Sequence, residues 1–598
     1  MALCGQTSYI NRWHGLSASI FVSLIFGSAY AFPLWGELLK DAYSLTQSQL
    51  QGIASTANVA GSVAIVAGLV FDRLERHRRL GPCLVLLVGM ASNAAGYSLL
   101  WAAVSGRFRA QLWQLAALAA LGMTGSMWAD TAAMATNVRN FPAHRGTVVG
   151  LIRACVGLSG SLFACIYAGA FTPDASAFLL FLAIAPVAVG AAALPFINRL
   201  PLPATEHSDA IGHGGLPAER RFVFALASLG TLALFLVTAT TVNALWPLAL
   251  ATRHLVMAGA CALLLPLLAL PCGAGGLLSR RPLPPHQPTG SGLGRTGVPG
   301  GDIAASSSWA SSRASFGSLK DKGDMEEPLL QPPGQQLVAA PPDGDALEGD
   351  TLCEALPLEG SLPGAVAAPE LAPLQCLCSL DFWLLFTVIA VGTGSGLALL
   401  NNLAQVVAAT AGSRSTAGAT AVLLSIFSVA NCSGRMAFGY WPERLLHSRG
   451  TPRTLFMPAV SALLAAAFAA LAFVRLPALF PLTALAGFAY GGHWALGPAT
   501  VSELFGLRHF AANYALMLVA PAVGSVGLAA GLAAWVYERA AQAQGETGTC
   551  LGPACFRATF LTMAAAGVCA GGAGAVLHRR SVALYQRQAA RMQSSGSS

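Results

Sequence analysis

Long apolar blocks separated by short polar loops occupy most of this 598-residue chain. A helix that crosses about 30 Å of hydrocarbon needs roughly 20 residues, and fourteen blocks meet or approach that length. Charged residues make up only 10% of the chain, whereas soluble domains carry about 25%. We therefore predict an all-α integral membrane protein. Its predicted spans are 13–35, 51–71, 80–104, 112–138, 147–171, 175–197, 222–245, 254–278, 382–407, 417–441, 455–473, 479–504, 510–536 and 556–577.

The spacing of these blocks predicts two bundles of six spans. The first bundle occupies residues 1–200, two linker spans follow in 201–279, and the second bundle occupies 374–578. Residues 280–373 between them are rich in Pro, Gly and Ser, a composition that predicts a disordered loop. Residues 579–598 form a basic tail.

Basic residues collect in the loops on one side of the predicted bundles. Arginines follow spans 2, 4 and 10, precede span 7 and recur in the C-terminal tail. Loops rich in Lys and Arg remain in the cytoplasm, so we predict that both termini and the long loop are cytoplasmic. These loops account for the net charge of +8, which argues against a nucleic-acid partner. The compartment, plasma membrane or a vacuole-type endomembrane, and the oligomeric state stay open.

The loop after span 2 combines a glycine, an acid and several arginines. It contains Gly68, Asp72, Arg73, Arg78 and Arg79 and resembles the cytoplasmic loop signature of the major facilitator superfamily. The Asp72 carboxylate can pair with arginines and meet the positive end of a neighbouring helix. Such a bond forms in one conformation and breaks in another, so we predict a gating role. Ordinary positively charged loops would explain the arginines but neither the glycine nor the acid.

A related pattern occurs at the matching position of the second bundle. Gly434, Arg435 and Gly439 are predicted to stand just after the second helix of that bundle, which indicates a weak internal repeat. We assign them the same gating role. Glu503 and Arg508 flank the cytoplasmic end of span 12, and there we predict a gating or structural pair.

Seven short motifs occur in order along nearly the whole chain. They are VRNFP at 138–142, RG at 145–146, VGLSG at 156–160, DFWLLF at 381–386, NLAQ at 402–405, SELFGL at 502–507 and CLGPACF at 550–556. Together they resemble the plant nodulin-like proteins of the major facilitator superfamily, a group that includes the nuclear-fusion-defective proteins. The resemblance implies two additional helices, a long cytoplasmic loop and solute transport, and it leaves the solute undefined.

Two ionisable residues lie inside spans of the first bundle. Arg153 lies about two turns inside span 5, where its guanidinium could hold a carboxylate with two hydrogen bonds; alternatively it extends towards the cytoplasmic interface. Asp130 lies in span 4, where it could accept a transported proton or neutralise Arg153 or Arg139. The resemblance implies a lysine and an amide at these two positions, so a relative's coupling ion cannot be transferred.

Polar residues in the second bundle supply further candidates. Asn402 and Gln405 are three residues apart and share a helix face, so they could bind substrate or join helices by hydrogen bonds. His493 could titrate or simply pack. Cys550 and Cys555 flank a short loop and could form a disulfide. The other cysteines lack the spacing of a metal or redox site.

The motif content argues against an enzyme. No nucleotide-binding loop, nucleophile elbow or HExxH helix occurs, which argues against a primary pump or an intramembrane hydrolase, and we predict no cofactor. We therefore predict a secondary transporter of a small solute that works by alternating access, with the lipid bilayer as its solvent and protons as candidate coupling ions. The alternative is a non-transporting receptor or organelle-fusion factor that uses the same fold as a scaffold.

Overall fold

The computed structural model is built almost entirely of helices. It describes residues 11–45, 47–61, 65–74, 77, 79–172, 174–200, 218–272, 370–411, 417–545 and 550–595. Arg78 and nearly all of the predicted long loop at 280–373 lie outside these residues. The described parts of the two bundles belong to one compact unit.

The first bundle and the linker contain ten helices. They are α1 Arg12–Ile25, α2 Phe32–Tyr43, α3 Gln47–Ala60, α4 Ile65–Arg73, α5 Leu80–Val104, α6 Leu112–Asn140, α7 Arg145–Ile166, α8 Ala175–Ala193, α9 Ala218–Leu245 and α10 Leu250–Ala262. A wider helical turn, Tyr167–Phe171, extends α7, and a tighter one, Leu265–Cys272, follows α10.

The second bundle adds ten more described helices. They are α11 Pro373–Leu377, α12 Leu380–Asn401, α13 Leu403–Ala411, α14 Ala417–Arg449, α15 Phe456–Leu471, α16 Leu476–Leu504, α17 Phe510–Met517, α18 Val519–Gly524, α19 Ala534–Ala543 and α20 Ala554–Ser595. Residues Ser525–Ala533 form a wide helical turn that joins α18 to α19.

Among the described residues, eleven helical segments are long and apolar enough to cross a membrane. The predicted count of fourteen is therefore not confirmed, although the all-helical membrane class is. Helices α6 and α16 are each 29 residues long but are not among the eleven. Their composition explains this, because they carry polar residues such as Asp130 and His493 into the protein interior.

The first predicted span is interrupted rather than continuous. Helix α1 ends at Ile25, and a short turn at Ser28–Ala31 leads into α2. Ser159 on the neighbouring helix donates a hydrogen bond to the carbonyl oxygen of Gly27 at 3.0 Å. This side-chain hydrogen bond satisfies the Gly27 carbonyl where the helix is interrupted. A Cβ at residue 27 would lie 2.0 Å from the Ser159 hydroxyl, which explains why glycine fits here.

Two predicted boundaries in the second bundle are wrong. The predicted span 382–407 is broken at Asn402, whose side chain donates to the carbonyl oxygen of Ala398. The predicted span 417–441 continues through Pro442 to Arg449. The motif from Gly434 to Gly439, which we expected just after the helix, therefore lies well inside it.

Cys550 and Cys555 form a disulfide in the structure. The turn that they enclose contains Gly552, whose φ of 94° is a conformation that glycine adopts without strain. Its N–H donates to the carbonyl oxygen of Ala409 at 3.0 Å, which fixes this loop to the end of α13.

Candidate functional site

A buried ion pair lies where the two bundles meet. The guanidinium of Arg153 on α7 donates to the carboxylate of Asp130 on α6 at 3.0 Å. The Tyr514 hydroxyl of α17 in the second bundle donates to the same carboxylate oxygen at 2.6 Å. Arg153 is 2% exposed and Asp130 is 5% exposed, so water contributes little to their solvation.

A second buried arginine from the other bundle lies against this pair. Arg435 on α14 is 1% exposed and donates to the carbonyl oxygen of Arg153 at 2.5 Å. It also donates to Asn431 at 2.8 Å and to the Tyr30 hydroxyl at 3.1 Å. Its recorded hydrogen-bond partners are therefore all neutral.

Aromatic rings enclose the two guanidinium groups. The Trp494 ring centroid lies 5.0 Å from the Arg153 guanidinium carbon and 5.5 Å from that of Arg435. Tyr514 lies 5.3 Å from Arg153, and Tyr490 lies 5.9 Å from Arg435. These distances allow cation–π attraction, which is stronger at desolvated sites. We call Arg153, Asp130, Arg435, Tyr514 and Trp494 the central cluster.

The central cluster carries one positive charge more than it can neutralise. Arg153 and Arg435 contribute two positive charges and Asp130 one negative charge, and among the described residues no ion pair is recorded for Arg435. Asp130 Oδ1 and Arg153 Nε are buried and have no hydrogen-bond partner in the described part of the chain. A buried charge without a partner is costly, so a small anion would be stabilised here.

The helices hold the central cluster well inside the fold. Arg153 is the ninth residue of α7, so at 1.5 Å per residue it lies roughly 12 Å from the start of that helix. Arg435 is 14 residues before the end of α14, or roughly 21 Å. Both helix ends are in the arginine-rich part of the sequence that we predict to be cytoplasmic. The central cluster is thus displaced from that end towards the middle of the bundles.

At the arginine-rich end, Asp72 joins the two bundles. Its carboxylate accepts from Arg139 at 2.5 Å and from the backbone N–H of Ala512 at 2.8 Å. Ala512 is in the first turn of α17, where the helix dipole favours a negative charge. A Cβ at residue 68 would lie 2.3 Å from the carbonyl oxygen of Ala511, so Gly68 permits this approach.

Glu443 makes the corresponding contact in the opposite direction. Its Oε2 atom accepts from the backbone N–H of Gly146 at 2.6 Å, and Gly146 is in the first turn of α7. The helices are close here, because a Cβ at residue 439 would lie 2.5 Å from the Cα of Gly150. A carboxylate from each bundle therefore bonds to the N-terminus of a helix in the other bundle. We call these two the Asp72 contact and the Glu443 contact.

A buried arginine holds the Glu443 contact in place. Arg453 pairs with Glu443 at 2.6 Å and with Glu503 at 2.9 Å. Tyr585 on α20 donates to Glu503 at 2.6 Å. The ion pair recorded for Glu503 is therefore with Arg453, whereas the sequence led us to expect Arg508. The backbone of Arg508 instead accepts from Arg139 and donates to Glu370.

Several predicted residues lie away from these contacts. Among the described residues, no hydrogen bond joins Asn402 or Gln405 to the central cluster. His493 is fully buried, lies 3.2 Å from the Ser461 hydroxyl and 2.9 Å from the Ala489 carbonyl oxygen, and borders the same small cavity as Trp494 and Tyr514. Gly434 packs against the backbone of Phe488. Arg73 is exposed at the end of α4, and Arg79 directly precedes α5.

The sequence predictions missed three of the residues that matter here, Tyr514, Tyr30 and Arg453. Arg435 was predicted, but in a gating role near a helix end and not as part of a buried cluster. For Arg435 a signal of a buried role existed, because it lies inside an apolar block and four residues after Asn431, which places both side chains on one helix face. The two tyrosines carry no sequence signal, since their partners are distant along the chain.

Comparison with known proteins decides the family. Residues 12–272 match the family model described as Nodulin-like, and residues 370–586 match the one described as NFD4, C-terminal domain. The chain is a nodulin-like protein, with a Nodulin-like domain followed by an NFD4 C-terminal domain. The resemblance to the nodulin-like and nuclear-fusion-defective proteins that the sequence motifs indicated is therefore confirmed.

Relatives of this nodulin-like protein share modest identity with it. The protein NUCLEAR FUSION DEFECTIVE 4 of Arabidopsis thaliana is 22% identical over 569 residues, which cover 92% of this chain and 85% of the relative. The uncharacterized MFS-type transporter YhjX of Escherichia coli (strain K12) is 27% identical over 148 residues, which cover 24% of this chain and 35% of the relative.

Two solved transporter structures align with this chain over most of its length. The proton:xylose symporter XylE, bound to 6-bromo-6-deoxy-D-glucose, has a TM-score of 0.49 and 12% identity, and the alignment covers 94% of each chain. The human organic anion transporter MFSD10 has a TM-score of 0.47 and 14% identity, with 94% of this chain and 99% of that chain covered.

Proposed function

We propose that this nodulin-like protein is a secondary active transporter of a small organic anion that works by alternating access. The observation that carries the proposal is the net positive charge of the central cluster, buried between the two bundles. Intramembrane charges are costly and usually mark a substrate or ion pathway. In this proposal Arg153 and Arg435 bind the anion, one from each bundle, while Trp494 covers both guanidinium groups.

The conformational change in this proposal separates the bundles at the arginine-rich end. Each bundle supplies one carboxylate, Asp72 or Glu443, that bonds to a helix N-terminus of the other. Contacts of this kind can form in one state and be absent in the second. The bonds are made in the structure, so we assign it to the state in which the predicted cytoplasmic end is closed. An anion that bridged Arg153 and Arg435 would then be released when the bundles part at that end.

Asp130 is the candidate for coupling to protons. Its carboxylate accepts from both Arg153 and Tyr514, so a proton on Asp130 would change the bonds of residues from both bundles. A substrate anion and Asp130 would also compete for the Arg153 guanidinium. Binding of the anion would therefore favour protonation of Asp130, which is the linkage that a symporter requires.

We expect small organic anions to stabilise the purified protein against thermal unfolding. Malate, citrate and pyruvate serve as anionic probes, with xylose and fucose as neutral controls of similar size. A ligand at 100 times its dissociation constant adds about 2.7 kcal/mol to the free energy of unfolding, which is readily measured as a rise in Tm. The stabilising anion should then be taken up by proteoliposomes, and uptake should respond to an imposed pH gradient. Stabilisation by the sugars alone would refute the assignment of an anion.

A further inference from the structure

Three side chains of types that can bind a metal ion meet at the arginine-rich end. His144, Glu443 and His447 each offer one ligand atom, and these atoms lie within 4.8 Å of one another. His144 belongs to the first bundle and the other two to the second. Neither the central cluster nor the family comparison assigns a role to the two histidines.

Local structure places the three side chains together. Glu443 and His447 are four residues apart on α14, so they share one helix face, while His144 occupies the N-cap position of α7. The two imidazole rings are 5.7 Å apart between centroids and nearly perpendicular, with an interplanar angle of 84°. The rings therefore lie edge to face and not stacked.

The Glu443 carboxylate is oriented before any ion binds. Its Oε2 atom accepts from Gly146 at 2.6 Å and from Arg453 at 2.6 Å, so Oε1 can act as the ligand. Hydrogen bonds of this kind fix a ligating carboxylate and raise metal affinity. The surroundings differ for the two histidines, since His144 is half-buried against the Phe222 ring, 5.2 Å away, and His447 is exposed.

We propose that His144, Glu443 and His447 bind a divalent transition-metal ion, with Zn²⁺ as the preferred species. Two imidazoles and one carboxylate are a donor set that zinc accepts, with water in the fourth position. Tetrahedral zinc with bonds of about 2.05 Å needs ligand atoms roughly 3.4 Å apart. The ligand atoms must therefore approach one another by roughly 1 Å. The exposed His447 side chain can make this shift by a change of rotamer.

Zinc at this position would join the two bundles beside the Glu443 contact. An ion that binds only when both bundles are close stabilises the closed arrangement of that end. Zinc is thus expected to act as an inhibitor that holds the protein in the state described here. The inhibitory role of zinc depends on the alternating-access proposal, whereas the metal site itself does not.

The metal site is tested on the full-length protein with its purification tag removed, because a histidine tag would bind zinc. We expect ZnCl₂ at 100 times its dissociation constant to raise the Tm by about 2 °C and excess EDTA to reverse the rise. His447→Ala and His144→Ala should each weaken the apparent zinc affinity at least roughly tenfold. His254→Ala, which removes an exposed histidine of α10, serves as the matched control and should leave the zinc response unchanged.

Two results would overturn the metal site: no rise in Tm with ZnCl₂, or an equal rise in wild type and in both histidine variants. The inhibitory role of zinc, which holds the two bundles together at the arginine-rich end, is tested separately with spin labels. They are introduced as genetically encoded amino acids at the exposed positions Leu80 and Arg449. ZnCl₂ should enrich the shorter label-to-label distance in wild type but not in His447→Ala. Zinc binding without that enrichment would leave the site intact and contradict the inhibitory role.

Discussion

Arg153→Ala should lower the uptake of the stabilising anion by at least roughly 100-fold. The substitution removes one of the two guanidinium groups of the central cluster, and a charge-assisted hydrogen bond lost from a buried site costs about 3 kcal/mol. The variant also leaves Asp130 buried without its ion-pair partner. The measurement is initial uptake into proteoliposomes, normalised to the amount of folded protein.

A double variant separates substrate binding from folding in this experiment. Removing one partner of a buried pair costs about 3–5 kcal/mol, whereas replacing both by apolar residues is often neutral. We therefore expect Arg153→Leu with Asp130→Leu to recover the wild-type Tm but not the uptake. Arg475→Ala, which removes an exposed arginine, is the control and should transport normally. Wild-type uptake by the double variant would remove Arg153 from the substrate site.

Arg453→Ala should reduce the free energy of unfolding by about 3–5 kcal/mol. Arg453 is fully buried and pairs with both Glu443 and Glu503, so the variant would remove the cation that bridges these two carboxylates. The Glu443 contact to Gly146 would lose its orientation as well. The loss is measured by thermal or denaturant unfolding in detergent and compared with a conservative Arg453→Lys variant, which keeps the charge.

An exposed ion pair provides the matched control for Arg453. Arg444 and Glu219 also pair across two helices, but both side chains are more than half exposed. Exposed pairs contribute little because water and salt screen them. Arg444→Ala should therefore unfold at the wild-type temperature. If Arg453→Ala unfolded at that temperature too, the buried cluster would not stabilise the fold.

The sequence predicted the elements that obey a local pattern. The apolar blocks could be identified because a bilayer requires long runs of apolar residues, and they correspond in order to the main helices of both bundles. The position of Asp72 relative to Gly68 could be identified from the superfamily signature. The partner of Asp72, the N–H of Ala512, is 440 residues away. The predicted span 510–536 located the start of that helix, but nothing in the sequence showed that it meets Asp72.

Other features depended on packing that no local pattern records. Pro442 and the charges after it favoured a helix end, yet α14 continues past the proline to Arg449. Arg435 therefore lies near the middle of a long helix and is buried, not near a helix end as the predicted span 417–441 implied. Asn402 and Gln405 share a helix face in the sequence, but the helix breaks at Asn402. Arg153 and Arg435 are 282 residues apart. The sequence identified each of them as a candidate, but it gave no indication that the two side chains are in contact.

The central claim is that the two bundles separate at the arginine-rich end during transport. Distances between spin labels at Leu80 and Arg449, measured by double electron–electron resonance, test it most directly. Each carboxylate contact is worth about 1–2 kcal/mol, so Asp72→Asn should raise the longer-distance population by roughly 5- to 30-fold. Glu443→Gln should act in the same direction. A single distance distribution, identical in wild type and both variants, would contradict the account.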